Sequence, residues 1–423
     1  MSFLSNQKQL CNNETFRNGF FFTVFSFINK GMNFILLILL AKFITPTEYG
    51  YWSLFGTIVM FMGYFIAMTT QGYISISYFK EGMEGVKKTF SCILATTIIS
   101  LLLMNIFAFS LQSLFEGLWG FPWRYLYLAI GISFFTIYSN ICLDFFRIKK
   151  QICYYGIFSC TNALFILILS IFFVKFMNMG WAGCAVAQFI CVCLFGLISL
   201  FQFFKMKCVT TPDTKHWKVM LLWGIPLIPH LATNFIQQGC DRYIINFYHN
   251  VEQVGLFSFA YSLSAAIMMI GSGFNDANGV NIFEILGNKN ISAQEKIILL
   301  RAQKKNIFFV YLISTIIVIA LCYFFVPLFL PQYNSAMGYF FILAIYAFLH
   351  CMYFLYTNFL FFFKKTKSLM YTTFSFAIMH LMLSLLLTKY SLYFTCWTYC
   401  ITQLGVVFFV RKKAIELLKR QLL

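Results

Sequence analysis

Hydrophobic runs of about 20 residues follow one another along the chain, separated by short polar connections. A helical run of this length crosses the roughly 30 Å hydrocarbon core of a bilayer, whereas barrel strands are about half as long and alternate in polarity. The pattern predicts an all-α polytopic membrane protein with twelve transmembrane helices. These lie at residues 19–41, 51–73, 89–111, 124–146, 155–176, 182–204, 219–241, 252–272, 306–326, 339–363, 368–388 and 393–411.

Two of the predicted spans carry a stripe of polar residues. In the seventh, the spacing i, i+4, i+7 and i+11 places four polar side chains on one helical face, namely His230, Asn234, Gln237 and Asp241. The first span has a similar face, formed by Thr23, Ser26, Lys30 and Asn33. Lipid cannot satisfy such groups, so both faces should line a cavity within the protein.

The two stripes are equivalent positions of an internal repeat. Ser26 lies 204 residues before His230, and the same offset relates Lys30 to Asn234. The repeat predicts two six-helix bundles of the same orientation. The expected divisions are 1–204 for the first bundle, 205–218 for a cytoplasmic linker, 219–411 for the second bundle and 412–423 for a basic amphipathic tail.

The positive charge of the chain is unevenly distributed. The formal net charge is +18, with 61% hydrophobic and 10% charged residues. Most Lys and Arg residues fall in connections on one side, and the other side holds only Lys42, Arg124, Lys175, Arg242 and Lys389. The positive-inside rule therefore places both termini in the cytoplasm. Because the cations are scattered over short connections, nucleic-acid binding is not expected; anionic membrane lipids are expected partners, particularly for the tail.

Two short motifs resemble those of a known family. Ala41, Pro46, Glu48, Tyr49 and Gly50 resemble the LA-x-x-L-x-P-x-E-Y-G pattern of polysaccharide exporters. The start and end of the seventh span resemble the same proteins through Gly224, Pro226, Pro229, Asp241, Arg242 and Tyr243. With its twelve spans, the chain is similar to O-antigen flippases of the Wzx type, in the multidrug/oligosaccharidyl-lipid/polysaccharide (MOP) exporter superfamily.

The resemblance implies a function, a location and partners. It implies that an undecaprenyl-diphosphate-linked oligosaccharide moves from the inner to the outer leaflet of a bacterial cytoplasmic (inner) membrane by alternating access. Coupling to an ion or proton gradient is the implied energy source, and no cofactor is expected. An O-antigen polymerase and a chain-length regulator are the protein partners that it implies.

The polar residues of the spans are the candidate substrate-binding residues. The proposed cavity set is Ser26, Lys30, Asn33, Gln71, His230, Asn234 and Gln237. Lys30 could contact a diphosphate or an acidic sugar, or else form a structural ion pair or extend to the interface. The amides suit sugar hydroxyls, and interhelical hydrogen bonding is the alternative.

Four further residues are candidates for gating or ion coupling. Asp144 could carry a proton, or simply pair with Arg147 three residues later. Asp241 and Arg242 are adjacent, so their side chains should diverge towards separate partners. Arg124, beside Trp123, could contact a headgroup at the outer exit or belong to an interfacial belt.

Two other function classes remain open. A drug/cation antiporter of the same superfamily would require a carboxylate deep in a cavity, whereas the only charge predicted near the middle of a span is the cation Lys30. A membrane glycosyltransferase or O-antigen polymerase would require a sizeable outer loop with catalytic groups, and the predicted outer loops are short. No catalytic residue, metal site or cofactor is predicted.

Overall fold

The computed structural model describes residues 14–110, 112, 116, 122–288 and 290–422, and in these ranges the regular structure is helical. The α-helices of the first part are α1 (Glu14–Phe43), α2 (Pro46–Ile66), α3 (Tyr73–Ser110), α4 (Arg124–Ile148), α5 (Ile152–Ile171) and α6 (Gly180–Lys205). Those of the second part are α7 (Thr214–Gly224), α8 (Ile228–Gln238), α9 (Cys240–Tyr248), α10 (Val251–Gly287), α11 (Ala293–Phe329), α12 (Met337–Phe362), α13 (Thr366–Leu387) and α14 (Leu392–Leu422).

The helices confirm the predicted fold class of a polytopic all-α membrane protein. In the described ranges, 11 helical stretches are long and apolar enough to cross a membrane. The predicted first span lies within the 30-residue helix α1. The long connection after the eighth span is helical, as expected, because α10 continues to Gly287 and α11 begins at Ala293.

Several predicted spans have different limits in the structure. The third was expected to begin at residue 89, but α3 begins at Tyr73. The second was expected to continue to residue 73, but α2 ends at Ile66 and positive φ angles follow at Met68 and Thr69. The seventh was expected to end at residue 241, but its helical path continues to Tyr248. It is divided by a 3₁₀ turn at Ile225–Leu227, around which Pro226 and Pro229 remove backbone donors. A second break lies at Gly239.

Contacts divide the chain into two compact units. Unit 1 takes in Met1–Ile44 and Leu54–Ala232, and unit 2 takes in Thr45–Ser53 and Thr233–Leu423. The division therefore falls inside the seventh span, between α8 residues Ala232 and Thr233. The predicted domain limits, which follow the sequence repeat, stay a prediction.

Unit 1 is packed around α3, α4 and α6. Phe90 of α3 stacks on Phe203 of α6 with ring centroids 4.4 Å apart. Helix α7 is tied to α3 by polar contacts, since Trp217 Nε1 donates to Thr96 at 2.8 Å and His216 Nε2 lies 2.8 Å from the Thr89 hydroxyl. These bonds anchor the start of the seventh span within unit 1.

Unit 2 is packed around α10, α12 and α14. The tail predicted at 412–423 continues α14 as helix to Leu422, the last described residue. Its apolar face is buried on protein, because Ala414 and Leu417 pack in a core cluster with Leu300, Leu360 and Leu369. This end of the chain is thus integrated into unit 2 through its apolar side.

The motif around Pro46 forms a close helix crossing in unit 2. Thr45 and Glu48 form a capping box: the Thr45 N–H donates to the Glu48 carboxylate at 3.0 Å, and the Glu48 N–H donates to the Thr45 hydroxyl at 3.3 Å. Gly50 then meets the start of α10 so closely that a Cβ would lie 2.1 Å from the Val251 carbonyl oxygen. A Cβ on Gly255 would lie 1.7 Å from the Pro46 carbonyl oxygen. The motif glycines are therefore required by backbone approach.

Candidate functional site

The predicted cavity residues of the first span lie on α1. The backbone of Ser26 and Lys30 is helical, and their side chains lie outside the described part of the structure. Asn33 is exposed, and its amide donates to the Asn29 side-chain oxygen at 3.1 Å. Asn29 in turn donates to the Ser159 carbonyl of α5 at 3.0 Å. The bond of Asn33 thus stays within α1, and the bond from α1 to α5 is made by Asn29, which was not among the predicted residues.

The predicted residues of the seventh span are distributed over its broken segments. His230 and Asn234 belong to α8, and their side chains lie outside the described part. Gln237 is half-buried, and its carbonyl oxygen accepts from the Tyr399 hydroxyl at 2.5 Å. Gln71 lies in the 3₁₀ turn Thr70–Gly72, not within a long helix. Its side-chain oxygen is buried without a hydrogen-bond donor in the described structure.

Three further candidates occupy the ends of α4. Asp144 and Arg147 form an i,i+3 ion pair at 3.2 Å, and Arg147 also donates to the Tyr155 hydroxyl at 3.3 Å. This is the structural alternative anticipated for Asp144. Arg124 is exposed at the other end, with its guanidinium 5.5 Å from the Tyr125 ring centroid. Trp123 and Tyr127 meet edge to face beside it, an arrangement typical of an aromatic belt.

Asp241 is the centre of a buried polar network in unit 2. Its side chain has no solvent exposure, and one carboxylate oxygen accepts from the Ser384 hydroxyl at 2.5 Å. The other lies 2.8 Å from His380 Nε2. Neither Lys nor Arg pairs with it in the described structure. Helix α9 therefore presents a carboxylate to α13, where a histidine and a serine contact it.

The network continues from α13 to the start of α14. The Ser384 hydroxyl lies 3.3 Å from that of Thr388, which lies 2.9 Å from that of Thr395. The Thr388 carbonyl is 2.7 Å from His249 Nε2, just beyond the end of α9. A line of hydroxyls thus runs from the buried carboxylate towards the end of unit 2 that holds the α13–α14 connection.

Tyrosines from three helices surround the network. Tyr399 packs its ring against His380, with centroids 4.4 Å apart. Tyr346 and Tyr261 follow, 5.0 Å and 5.8 Å from Tyr399. All three are at least nine-tenths buried. The carboxylate and imidazole therefore lie in an aromatic environment in which an uncompensated charge is costly.

Arg242 points away from Asp241, as their adjacency predicted. Its guanidinium donates to the hydroxyls of Ser53 and Ser258, the latter at 3.2 Å, and to the Gln238 carbonyl. Ser53 and Ser258 also bond to each other at 2.7 Å and are 205 residues apart. They end two matching stretches, Gly50-Tyr-Trp-Ser53 and Gly255-Leu-Phe-Ser258. Arg242 thus fixes α9 to the crossing of α2 and α10.

The Asp241–His380 pair can hold one proton at net neutrality. An imidazolium beside a carboxylate and an imidazole beside a carboxylic acid differ only in which atom carries that proton. With neutral His380, the carboxylate can accept from the Ser384 hydroxyl and from the imidazole Nε2–H. A small cation could replace the proton. Among the described residues, no group of three or more His, Cys, Asp or Glu side chains is placed to hold a metal ion.

Sequence reasoning missed the partners of Asp241. His380, Ser384 and Thr388 are spaced i, i+4 and i+8 on α13, so they form a polar stripe like that of the seventh span. Thr395, Tyr399 and Thr402 have similar helical spacing on α14. A search for polar stripes in every span would have found both. Their convergence on Asp241 depends on tertiary packing.

Solved structures of transporters share this fold. A multidrug resistance MATE family transporter of the MOP superfamily, in an inward-facing conformation, matches with a TM-score of 0.72 and 14% identity, over 92% of this chain and 96% of that one. A MOP superfamily transporter from Pyrococcus furiosus, for which a reversed polarity of the binding pocket is described, matches with a TM-score of 0.61 and 13% identity over 94% and 95%. A MATE structure in complex with MaD3S matches with a TM-score of 0.61 and 14% identity, over 96% of each chain.

The chain thus shares the fold of these transporters, as the resemblance implied. The family model described as polysaccharide biosynthesis protein matches residues 15–277, more than half of the chain. The chain belongs to this polysaccharide biosynthesis family. Comparison with curated protein sequences gives no match.

Proposed function

We propose that this protein is a flippase that moves an undecaprenyl-diphosphate-linked O-antigen unit from the cytoplasmic to the periplasmic leaflet of a bacterial inner membrane. The observation that carries the proposal is membership of the polysaccharide biosynthesis family together with a transporter fold. The mechanism is alternating access, with the hydrophilic headgroup in a protein cavity and the polyprenyl tail in the bilayer.

Lys30 is the proposed contact for the diphosphate. It lies in the middle of the long apolar helix α1, where insertion of a Lys costs about 2.5–3.5 kcal/mol. An anionic substrate offsets that cost by supplying the opposite charge. Neutral amides and hydroxyls on the same faces, including Ser26, Asn33 and Asn234, suit the sugars.

The Asp241–His380 pair is the proposed coupling site. The pair is buried and links α9 to α13, so exchange of a proton there would couple to movement of these helices. Proton binding on one side of the membrane and release on the other would drive the return of the empty carrier. Arg242 acts as a structural anchor for the same helix, through Ser53 and Ser258.

Genetic complementation tests the transport proposal. In a strain that lacks the protein, wild type should restore surface polysaccharide, Lys30→Arg should restore most of it, and Lys30→Ala should lower it at least about tenfold, since an unpaired diphosphate loses about 1.5–3 kcal/mol of charge-assisted bonding. Lys42→Ala is the matched control, because Lys42 is an exposed cation at the end of the same helix. Full rescue by Lys30→Ala would refute the assigned role of Lys30, and wild type without any effect on surface polysaccharide would refute the flippase assignment.

Proteoliposomes test the coupling proposal separately. An imposed pH gradient should accelerate translocation of a labelled polyprenyl-diphosphate oligosaccharide by the wild type, and Asp241→Asn should abolish the acceleration. Glu284→Gln, a change at an exposed carboxylate of unit 2, serves as the control. His380→Gln is the second variant if Asp241→Asn does not fold. The proposal is contradicted if the pH gradient does not change the translocation rate of the wild type. It is also contradicted if Asp241→Asn responds to the gradient as the wild type does.

One observation favours the antiporter alternative. The argument that the only charge deep in a span is cationic is wrong, because Asp241 is fully buried and the helical path continues beyond it to Tyr248. Drug/cation antiport predicts gradient-driven uptake of a cationic dye into the same proteoliposomes. Dye transport without oligosaccharide transport would favour the antiporter.

A further inference from the structure

A cavity at the basic end of unit 2 has no role in the proposed transport cycle. It has a volume of about 280 Å³ and is bounded by α11, α12 and α14. Its cationic lining is Arg301, Lys304 and Lys419, and its apolar lining includes Leu300, Phe359 and Leu418. The cavity is therefore amphiphilic, because cationic and apolar side chains both line it.

A second cavity adjoins the first. It has a volume of about 490 Å³ and shares Arg301, Lys304 and Tyr356 with it. Two further cations, Lys305 and Arg411, line this part, together with apolar side chains such as Phe308 and Met352. The shared residues place the two cavities side by side, so one ligand could occupy both.

The five cations of this double cavity have no carboxylate partner in the described structure. By contrast, Lys413, which is also on α14 but does not line the cavity, pairs with Glu416 at 3.3 Å. Lys304 lies close enough to Arg301 and Arg411 for mutual repulsion. Its ammonium nitrogen is 5.7 Å from the Tyr356 ring centroid, a weak cation–π contact that offsets little of this repulsion. Like charges gathered without a counterion favour the binding of an anion.

The apolar walls distinguish this site from a site for a free anion. Leu300 and Phe359 belong to the buried core of unit 2 and form part of the wall, while Leu418 is packed against that core. A small hydrated anion would gain nothing from them. An amphiphile would place its phosphate among the cations and its chains along the walls. Basic pockets between transmembrane helices bind lipid headgroups in this way.

We propose that the double cavity binds the phosphate of an anionic bilayer phospholipid, such as phosphatidylglycerol or cardiolipin. The positive-inside rule assigns this end of unit 2 to the cytoplasmic leaflet, so the ligand comes from that leaflet. Bound there, the lipid ties α11 to α12 and α14 by neutralising cations from α11 and α14. The site is separate from Lys30 and Asp241, and the proposal does not depend on the transported substrate.

Lipid binding to the purified full-length protein tests the proposal. Titration in detergent with phosphatidylglycerol, phosphatidylcholine, undecaprenyl diphosphate and inorganic pyrophosphate, read by native mass spectrometry and thermal stabilisation, separates the possible ligands. Phosphatidylglycerol should bind and stabilise, and phosphatidylcholine and pyrophosphate should not. Replacing Arg301, Lys304 and Arg411 with Gln should weaken binding roughly a hundredfold, since each cation near a charged headgroup contributes about a factor of five.

Two controls make the result specific. Replacing Lys364, Lys365 and Lys367 with Gln removes the same charge from the α12–α13 connection, outside the cavity, and should leave binding nearly unchanged. Ile415→Trp fills the first cavity without altering any charge, should also weaken binding, and decides the matter if the triple variant does not fold. Equal losses in both triple variants would overturn the site in favour of general surface attraction. Preferential binding of undecaprenyl diphosphate or pyrophosphate would overturn the assignment to a bilayer phospholipid.

Discussion

At the scale of single residues, the sequence neighbours Asp241 and Arg242 contact different parts of unit 2. Helical geometry sends adjacent side chains in different directions, and each finds partners on other helices. Asp241 bonds to Ser384 and lies against His380, whereas Arg242 bonds to serines at the helix crossing. The pair therefore anchors α9 on two sides, and removing either contact should loosen it.

Ser384→Ala is expected to lower the stability of unit 2. The change removes the hydroxyl that donates to a fully buried carboxylate, and a bond to a charged group contributes about 1.5–3 kcal/mol. Thermal unfolding in detergent measures the loss as a lower midpoint. Ser375→Ala, at an exposed position of the same helix, should leave the midpoint nearly unchanged. Equal midpoints for the two variants would show that the Ser384 bond contributes little.

The candidate site was predictable only in part, and the reason is physical. Polar residues inside apolar runs are visible in a sequence, which is why Asp241 and Gln237 were found. Their partners depend on which helices pack together, and helical spacing does not give that information. Asp144 shows the converse, because its partner Arg147 lies one turn away on the same helix and local spacing was sufficient.

At the scale of elements, breaks in the helices determine where polar groups point. The seventh span is interrupted at Ile225–Leu227 and Gly239, so its four polar residues do not belong to one straight helix. Prolines were visible signals of the first break. The continuation to Tyr248 was not predicted, because α9 carries Asp241 and Arg242 and has a polar character typical of a helix end. Tertiary hydrogen bonds allow those groups inside the span.

The glycine crossing of α2 and α10 yields a prediction about the family motif. Gly50→Ala and Gly255→Ala should each destabilise the protein severely, because the added Cβ would lie 2.1 Å and 1.7 Å from carbonyl oxygens and the backbones must separate. Gly56→Ala on the same helix α2 has nothing within 4 Å and should be tolerated or slightly stabilising. The yield of monodisperse protein in size-exclusion chromatography measures the difference. Normal yield of both crossing variants would show that the helices can move apart at little cost.

At the scale of the whole molecule, two stretches that match in sequence also meet in the structure. Ser53 and Ser258 match at an offset of 205, one residue more than the offset of the polar stripes, and they bond to each other. Gly50 and Gly255, which match at the same offset, lie at the same crossing. The repeat of two whole bundles stays a prediction. The grouping of Thr45–Ser53 with unit 2 was not predictable, because it depends on packing between segments far apart in sequence.

The orientation of the molecule in the membrane gives the last prediction. Three cations lie at the α12–α13 connection, namely Lys364, Lys365 and Lys367, while the α13–α14 connection holds only Lys389. The positive-inside rule therefore places the first connection in the cytoplasm and the second outside. Alkaline phosphatase requires an oxidising compartment to form its disulfides, so a fusion after Tyr390 should be active and a fusion after Lys365 inactive.

These two fusion points flank a single helix, α13, so they differ by one membrane crossing and little else. A fusion after Asn250, in the short connection between α9 and α10, should again be active, because four crossings, α10 to α13, separate it from the α13–α14 connection and an even number returns to the same side. The opposite pattern at all three points would show that the protein has the inverse orientation in the membrane. It would place the cation-lined cavity of unit 2 in the outer leaflet. Transport from the cytoplasm would then start at the end of the protein opposite to the basic end, the reverse of what is proposed.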